Sequence, residues 1–326
     1  MKRCLYMLLT IAVLTSCEQE IPYNGEYQDP KLVLQLREEL QEGQCYVGCF
    51  ISRSAFFLDK LSGPAELRIN DASVTMQRNE DEPIALQRVG DGEYGFTNAQ
   101  PFFQVGDVIR FRASCSGYPD IEACDTIVPR PEVDLVAYTY DSIKNVFHVR
   151  VRFGDNTGYE GFLGCKGYVY IKYKNAPYGT AKKYDSRQIR SKDAIFSGVG
   201  NAFSTERGYN APRELFCKTK DASNREVEFE IPVGLSLSNA NVMVVDERVG
   251  ITFTTHSQHS YRYWKSLYNY KHIQGSEDVD MSTAISGMFG SEESVQLYSN
   301  VENGYGILSA ASYKFVSVIF ELEDNQ

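Results

Sequence analysis

Between residues 32 and 128 apolar and polar positions alternate in short runs separated by turn residues. The runs are Leu32–Arg37, Cys45–Arg53, Ala65–Asn70, Ser73–Arg78, Ile84–Val89, Glu93–Thr97, Asp107–Cys115 and Ile121–Val128. Period-two alternation sends successive side chains to opposite faces, so each run predicts a half-buried strand. Asp91-Gly92 supplies a hairpin turn between two of them. Strands this short, at this spacing, predict an antiparallel sandwich. "VPRPEVD" (Val128–Asp134) then breaks the pattern with two prolines, which places a domain boundary near residues 130 and 131.

The β pattern resumes at Leu135–Tyr140, Val146–Phe153 and Gly167–Lys174, and again at Glu226–Ile231 and Ala240–Val245. Residues from about 175 to 223 are rich in Lys, Arg, Asn, Gly and Ser and read as a long insertion. One helix is predicted, over about 257–273, with Ser257 or Ser260 as its N-cap. At about 100° per residue, Tyr261, Tyr263, Trp264, Leu267, Tyr268 and Tyr270 share roughly half its circumference. This aromatic face either packs on the second sheet, the simpler reading, or presents Tyr261, Tyr263 and Trp264 as a binding surface. The last strand is predicted at Ser312–Leu322, after the turn-rich "SNVENGYGILSA". The expected fold is therefore mostly β, with two sandwich-like domains at 31–130 and 131–326.

The N-terminus changes this picture, because it removes residues from the fold. Lys2 and Arg3 precede an apolar run of about ten residues, Leu5 to Leu14, which fits a secretory signal and is too short to span a bilayer. Leu14-Thr15-Ser16-Cys17 resembles a lipobox, so residues 1–16 read as a signal peptide and Cys17 as the lipidated first residue. Acyl chains such as palmitate, at about 0.8 kcal/mol per buried CH₂, give stable anchoring when two or more are present. Glu18 and Glu20 resemble a surface-export tract, and residues 17–30 read as a tether. Expected localisation is the outer membrane, lipid-anchored and facing outward.

Removal of Lys2 and Arg3 leaves 31 basic and 43 acidic residues, a net charge near −12. Such a chain argues against nucleic acid as a partner, since phosphate binding needs a clustered basic face. Six cysteines remain after Cys4 and Cys17 are set aside, and an even number in an exported chain predicts disulfides. Cys115 with Cys124, across a turn, and Cys165 with Cys217, closing the insertion, are the expected pairs. Cys45 and Cys49 on one strand would lie about 13 Å apart, too far to bond.

Chemistry is sparse. His148, His256, His259 and His272 lack the spacing of a zinc site. Neither G-x-S-x-G nor H-E-x-x-H occurs, no phosphate-cradling loop is present, and no cofactor is expected. Asp155, and Asp278 with Asp280, sit in loops with oxygen-bearing neighbours but without EF-hand spacing, so solvated loops are the better reading. The 22 tyrosines suit strand packing and peptide or glycan recognition equally.

Four features in order carry a family resemblance. They are the lipobox, the first β domain ending in a strand pair and "VP", the helix motif Ser257, Tyr261, Tyr263 and Trp264, and the segment Ser299, Asn300, Gly304 and Gly306. Together they resemble the Bacteroidota lipoprotein family catalogued as domain of unknown function 4249, across nearly all of the mature chain. The resemblance implies an outer-membrane lipoprotein associated with TonB-dependent transporters, an immunoglobulin-like or transthyretin-like first domain, and no known catalysis. The expected function is a non-enzymatic accessory or substrate-binding partner of such a transporter, its ligand a peptide or glycan. An adhesin or fimbrial subunit is the alternative, and a surface hydrolase the third reading. Bottom-up, Gly304 and Gly306 read as structural, permitting positive φ or a close backbone approach.

Overall fold

The computed structural model describes residues 29–55, 59–172, 182–187, 189–196, 214–232, 247–274 and 297–320. Cys17, the tether up to residue 28, Asp278 and Asp280 lie outside them. The first half carries β1 (Leu32–Leu36), β2 (Tyr46–Arg53), β3 (Ser73–Arg78), β4 (Ile84–Ala85), β5 (Gln87–Gly90), β6 (Glu93–Thr97), β7 (Val108–Ser114) and β8 (Ile121–Thr126). Alternation puts Leu32, Leu34 and Leu36 of β1 and Ile109, Phe111 and Ala113 of β7 on buried faces of two sheets that share one core. The fold is mostly β and sandwich-like, as the pattern predicts. Ala65–Asn70 differs: Pro64–Leu67 form a 3₁₀ turn, with proline at its start removing a ladder donor.

The first sandwich borrows its edge from the far end of the chain. Sheet order is β16-β1-β2-β6-β5 against β4-β3-β7-β8, where β16 is Tyr305–Ile307. β16 runs parallel to β1, and Val301, Leu308 and Ala310 enter the first core. Segment 297–310 therefore belongs structurally with residues 31–130.

The second half holds β9 (Val133–Asp141), β10 (Val146–Phe153), β11 (Phe162–Lys172), β12 (Lys182–Arg187), β13 (Glu214–Lys218), β14 (Glu226–Pro232), β15 (Glu247–His256) and β17 (Ala311–Phe320). The short helix α1 is Thr219–Ala222 and the long helix α2 is Gln258–Gln274. Sheet β14-β10-β9 packs on sheet β12-β11-β15-β17, with β13 also pairing β11. Phe147, Val149, Val151, Phe229, Val249, Ile251 and Phe253 fill the core between them. β12 and β13 fall inside the stretch read as an insertion. Both pair with β11, the polar β12 along Gly167–Lys172 and β13, whose Phe216 and Cys217 are buried, along Phe162–Lys166. β15, the centre of its sheet, lies where no strand was expected, while Ala240–Val245 falls outside the described residues.

All six described cysteines are free, which corrects the expected disulfides. The register explains it. Cys124 stands opposite Arg110, and Ala113 opposite Ile121, so Cys115 and Cys124 are not cross-strand neighbours. Cys217 pairs with Leu163, while Cys165 pairs with Leu215. That diagonal leaves Cα atoms about 7–8 Å apart, beyond the roughly 4.4–6.8 Å a disulfide spans. Burial pushes the Cys49 thiol up to about 12 and raises Cys165 and Cys217 further, so these sulfurs stay protonated. In a folded sample a thiol-reactive disulfide reagent is expected to label exposed Cys45 and Cys124, reaching Cys49, Cys165 and Cys217 only on unfolding. Reductant should leave the denaturation midpoint unmoved, and a fall would contradict free cysteines.

Candidate functional site

Ser257, at the start of α2, lies at the junction between the two sandwiches, where it meets Asp125. Helix α2 lies on the outer face of the β11–β15 sheet, where even-numbered β11 residues and His256 point away from the core. Tyr261 is 7% exposed and stacks on Phe162 with ring centroids 3.6 Å apart, its edge toward Phe216. Of the three aromatics considered as a binding surface, Tyr261 is thus committed to packing. Tyr263 is half-buried and meets Trp264 edge-on, and Trp264 is 38% exposed.

Ser257 caps α2, its Oγ accepting the Ser260 amide at 3.0 Å. The same hydroxyl donates to Asp125 Oδ2 at 2.5 Å, and the Ala310 amide donates to that oxygen at 2.8 Å. One carboxylate of the first domain therefore ties the helix cap to the strand leading into β17. The ladder continues on the other side, where the Leu40 amide donates to Ser309 and the Ala311 amide to Leu40. Burial pushes Asp125 up to about 6, against the lowering effect of its hydrogen bonds to Ser257, Thr126 and Ala310; the nearby charge of Glu39 raises it slightly.

A second polar chain runs beside the first. Ser260 donates to Glu39 Oε1 at 2.5 Å, and Ser309 reaches the same oxygen at 3.2 Å. His256 Nδ1 lies 2.8 Å from Ser260 Oγ. On the other side of the ring, His256 Nε2 faces Glu214 Oε1 at 3.6 Å. Carboxylate, imidazole and hydroxyl in sequence have the composition of an acyl-transfer relay. However, Ser260 is fully buried and its proton is engaged by Glu39, so its oxygen has no open side for a substrate. The arrangement acts as an interdomain clasp.

Gly164 on β11 makes room for this pair. A Cβ there would stand 2.4 Å from Glu214 Oε1 and 2.8 Å from His256 Nε2. Gly164→Ala is expected to expel Glu214 toward solvent and lower stability by about 1–3 kcal/mol. Chemical denaturation would measure it, and adding Glu214→Ala should recover part of the loss. No recovery would mean that the clash lies elsewhere.

The segment that precedes the last strand is equally structural. Asn300 donates to the carbonyls of Cys124 and Leu308, and its Oδ1 accepts the Leu308 amide, which closes residues 300–308 on themselves and on β8. Ser299 Oγ accepts the Val301 amide. Gly306 adopts φ +114° where β16 meets β1, and Gly304 passes beside Leu32. Elsewhere, Thr157 holds the Asp155 carboxylate at 2.6 Å, and among the described residues no three His, Cys, Asp or Glu side chains gather as cation ligands. A pocket of about 170 Å³ beside the start of α2, lined in part by Glu160, Lys218, Lys220 and Gln258, is smaller than the roughly 300–1,000 Å³ of drug-sized ligand sites.

Sequence reasoning named Ser257, Asn300 and both glycines but missed Asp125, Glu39, Glu214 and Gly164, whose partners are far away along the chain. No curated protein sequence matches this chain. The family model described as "Domain of unknown function (DUF4249)" matches residues 18–315, so the chain belongs to that family.

Proposed function

We propose that the protein is an exported lipoprotein, held to the outer membrane through acylated Cys17 and displayed outward, where it serves a TonB-dependent transporter as a non-enzymatic accessory or substrate-binding partner. The observation that carries this reading is "VLTSCEQE" (Val13–Glu20) at the head of a chain built as two clasped sandwiches. A stiff β arm on a short tether suits holding a partner or ligand near a membrane. Ser257 and Ser260 are engaged by Asp125 and Glu39 in the clasp. The ligand class is a peptide or a glycan, for which exposed tyrosine and tryptophan rings such as Trp264 are suited.

Cys17→Ser is the direct test of anchoring. It should move the protein from the membrane fraction to the soluble fraction and abolish incorporation of labelled palmitate. Membrane retention without label would refute the anchor. For the partner, purification in mild detergent should recover a stoichiometric β-barrel transporter, and recovery of a lone chain would count against the accessory role.

A further inference from the structure

A small pocket opens at the start of β11, where β13, α1 and α2 also meet. Phe162, the first residue of β11, pairs with Lys218 at the end of β13 on one side and with His256 on the other. Glu160 lies just before it, Lys220 is on α1, and Gln258 opens α2. With Thr219, these side chains line about 170 Å³ of space. The floor is fixed. The buried Thr219 hydroxyl donates to the Tyr159 carbonyl at 2.5 Å and accepts the Gly161 amide at 3.1 Å. The Phe162 ring is stacked on Tyr261. The rim is different: Glu160, Lys218, Lys220 and Gln258 are exposed, and among the described residues none of these side chains has an ion-pair or hydrogen-bond partner. Two cations and one anion thus share one pocket without pairing with each other.

We infer that this pocket binds a small zwitterion, a free amino acid or a dipeptide, with its carboxylate between Lys218 and Lys220 and its ammonium against Glu160. Hydrogen bonds between ionised partners are the stronger ones, and the unpaired rim supplies both signs of partner. The Gln258 amide donates to the same carboxylate, and the Phe162 ring offers an apolar wall to the ligand's side chain. Net charge favours a zwitterion over a simple anion. The chain is acidic overall, at −10 formally, so its field repels a phosphate or a dicarboxylate but not a molecule of zero net charge. Size points the same way, since the space holds several waters or one small molecule rather than an oligosaccharide. This narrows the ligand class to the peptide side and in that respect rests on the substrate-binding role proposed above. The contact itself needs neither the anchor nor a transporter.

L-alanine and the dipeptide Ala-Ala are the probes, each titrated into the full chain by calorimetry. At least one should bind with millimolar affinity or better, and the tighter of the two separates a free amino acid from a peptide as the source. Acetylating the amine of that binder, or amidating its carboxylate, should weaken binding about tenfold. Lys218→Gln/Lys220→Gln should weaken the parent ligand about tenfold. Glu160→Gln should do the same, yet leave the acetylated form no weaker than it is with the wild type, because the two changes remove the same contact. All three positions are exposed, so both variants should keep the wild-type denaturation midpoint, and lost binding is then not lost fold. Absence of binding at tens of millimolar, equal affinity for blocked and unblocked forms, or full affinity in the lysine variant overturns the proposal. Any of these results alongside a co-purifying transporter would remove the site and leave the accessory role standing. Binding by a chain that recovers no transporter would do the reverse.

Discussion

Gly306→Ala is expected to lower the stability of the first sandwich by about 4 kcal/mol or more, which places it among the rare large single-residue effects. The reason is backbone proximity. β16 runs parallel to β1 with Gly306 opposite Leu34, and a Cβ at Gly306 would stand 1.8 Å from the Leu34 carbonyl oxygen. Neither atom is the end of a flexible side chain, so the strand itself must move. A φ of +114° adds strain of about 1–3 kcal/mol for any residue with a Cβ. Displacing β16 also withdraws Val301, Leu308 and Ala310 from the first core. Urea denaturation gives the loss, and limited proteolysis should show new cleavage within 297–310. A change below about 1 kcal/mol would show that β16 is dispensable to the sandwich.

Asp125→Ala should cost about 2–5 kcal/mol, because it leaves the Ser257 hydroxyl and the Ala310 amide buried without their shared acceptor. Ser257 caps α2 and Ala310 leads into β17, so the loss should also uncouple the two sandwiches and split one unfolding transition into two. The wild type carries a pH signature of the same residue. Asp125 sits at about 6 when folded, against 3.8 as its ordinary value. The folded state therefore favours the protonated form. Its stabilising contribution is full below about pH 4 and is lost as pH rises through 6, on the order of 2–3 kcal/mol. Asp125→Asn removes the titrating group and should flatten stability over that window. If the variant keeps the wild-type slope, the slope belongs to another group.

Elements that bury one face were easiest to read in sequence. Leu32, Leu34 and Leu36 or Ile109, Phe111 and Ala113 repeat every second residue because each strand contributes one face to a core. Helix α2 was readable for the same reason at the other period, and its cap resolves to Ser257. β15 escaped notice although Val249, Ile251 and Phe253 alternate, because its outward positions include Gly250, over which Phe315 lies. β12 carries a polar sequence whose strand state comes from the neighbour it pairs with. An even number of cysteines pointed to disulfides, but sheet register governs which sulfurs meet, and parity says nothing about register.

The chain's own pattern determined two β-rich halves on either side of the prolines at 129 and 131, and one aromatic helix in the second of them. Tertiary structure alone decided what the polar motif residues do. Ser257 finds Asp125 across 132 positions, Ser260 finds Glu39 across 221, and Ser309 finds Glu39 across 270. Local periodicity records which face a residue turns inward, since burial repeats with the element. It holds no record of which distant group waits there, because that partner is set by how whole sheets are stacked and by the return of residues 297–310 to the first domain.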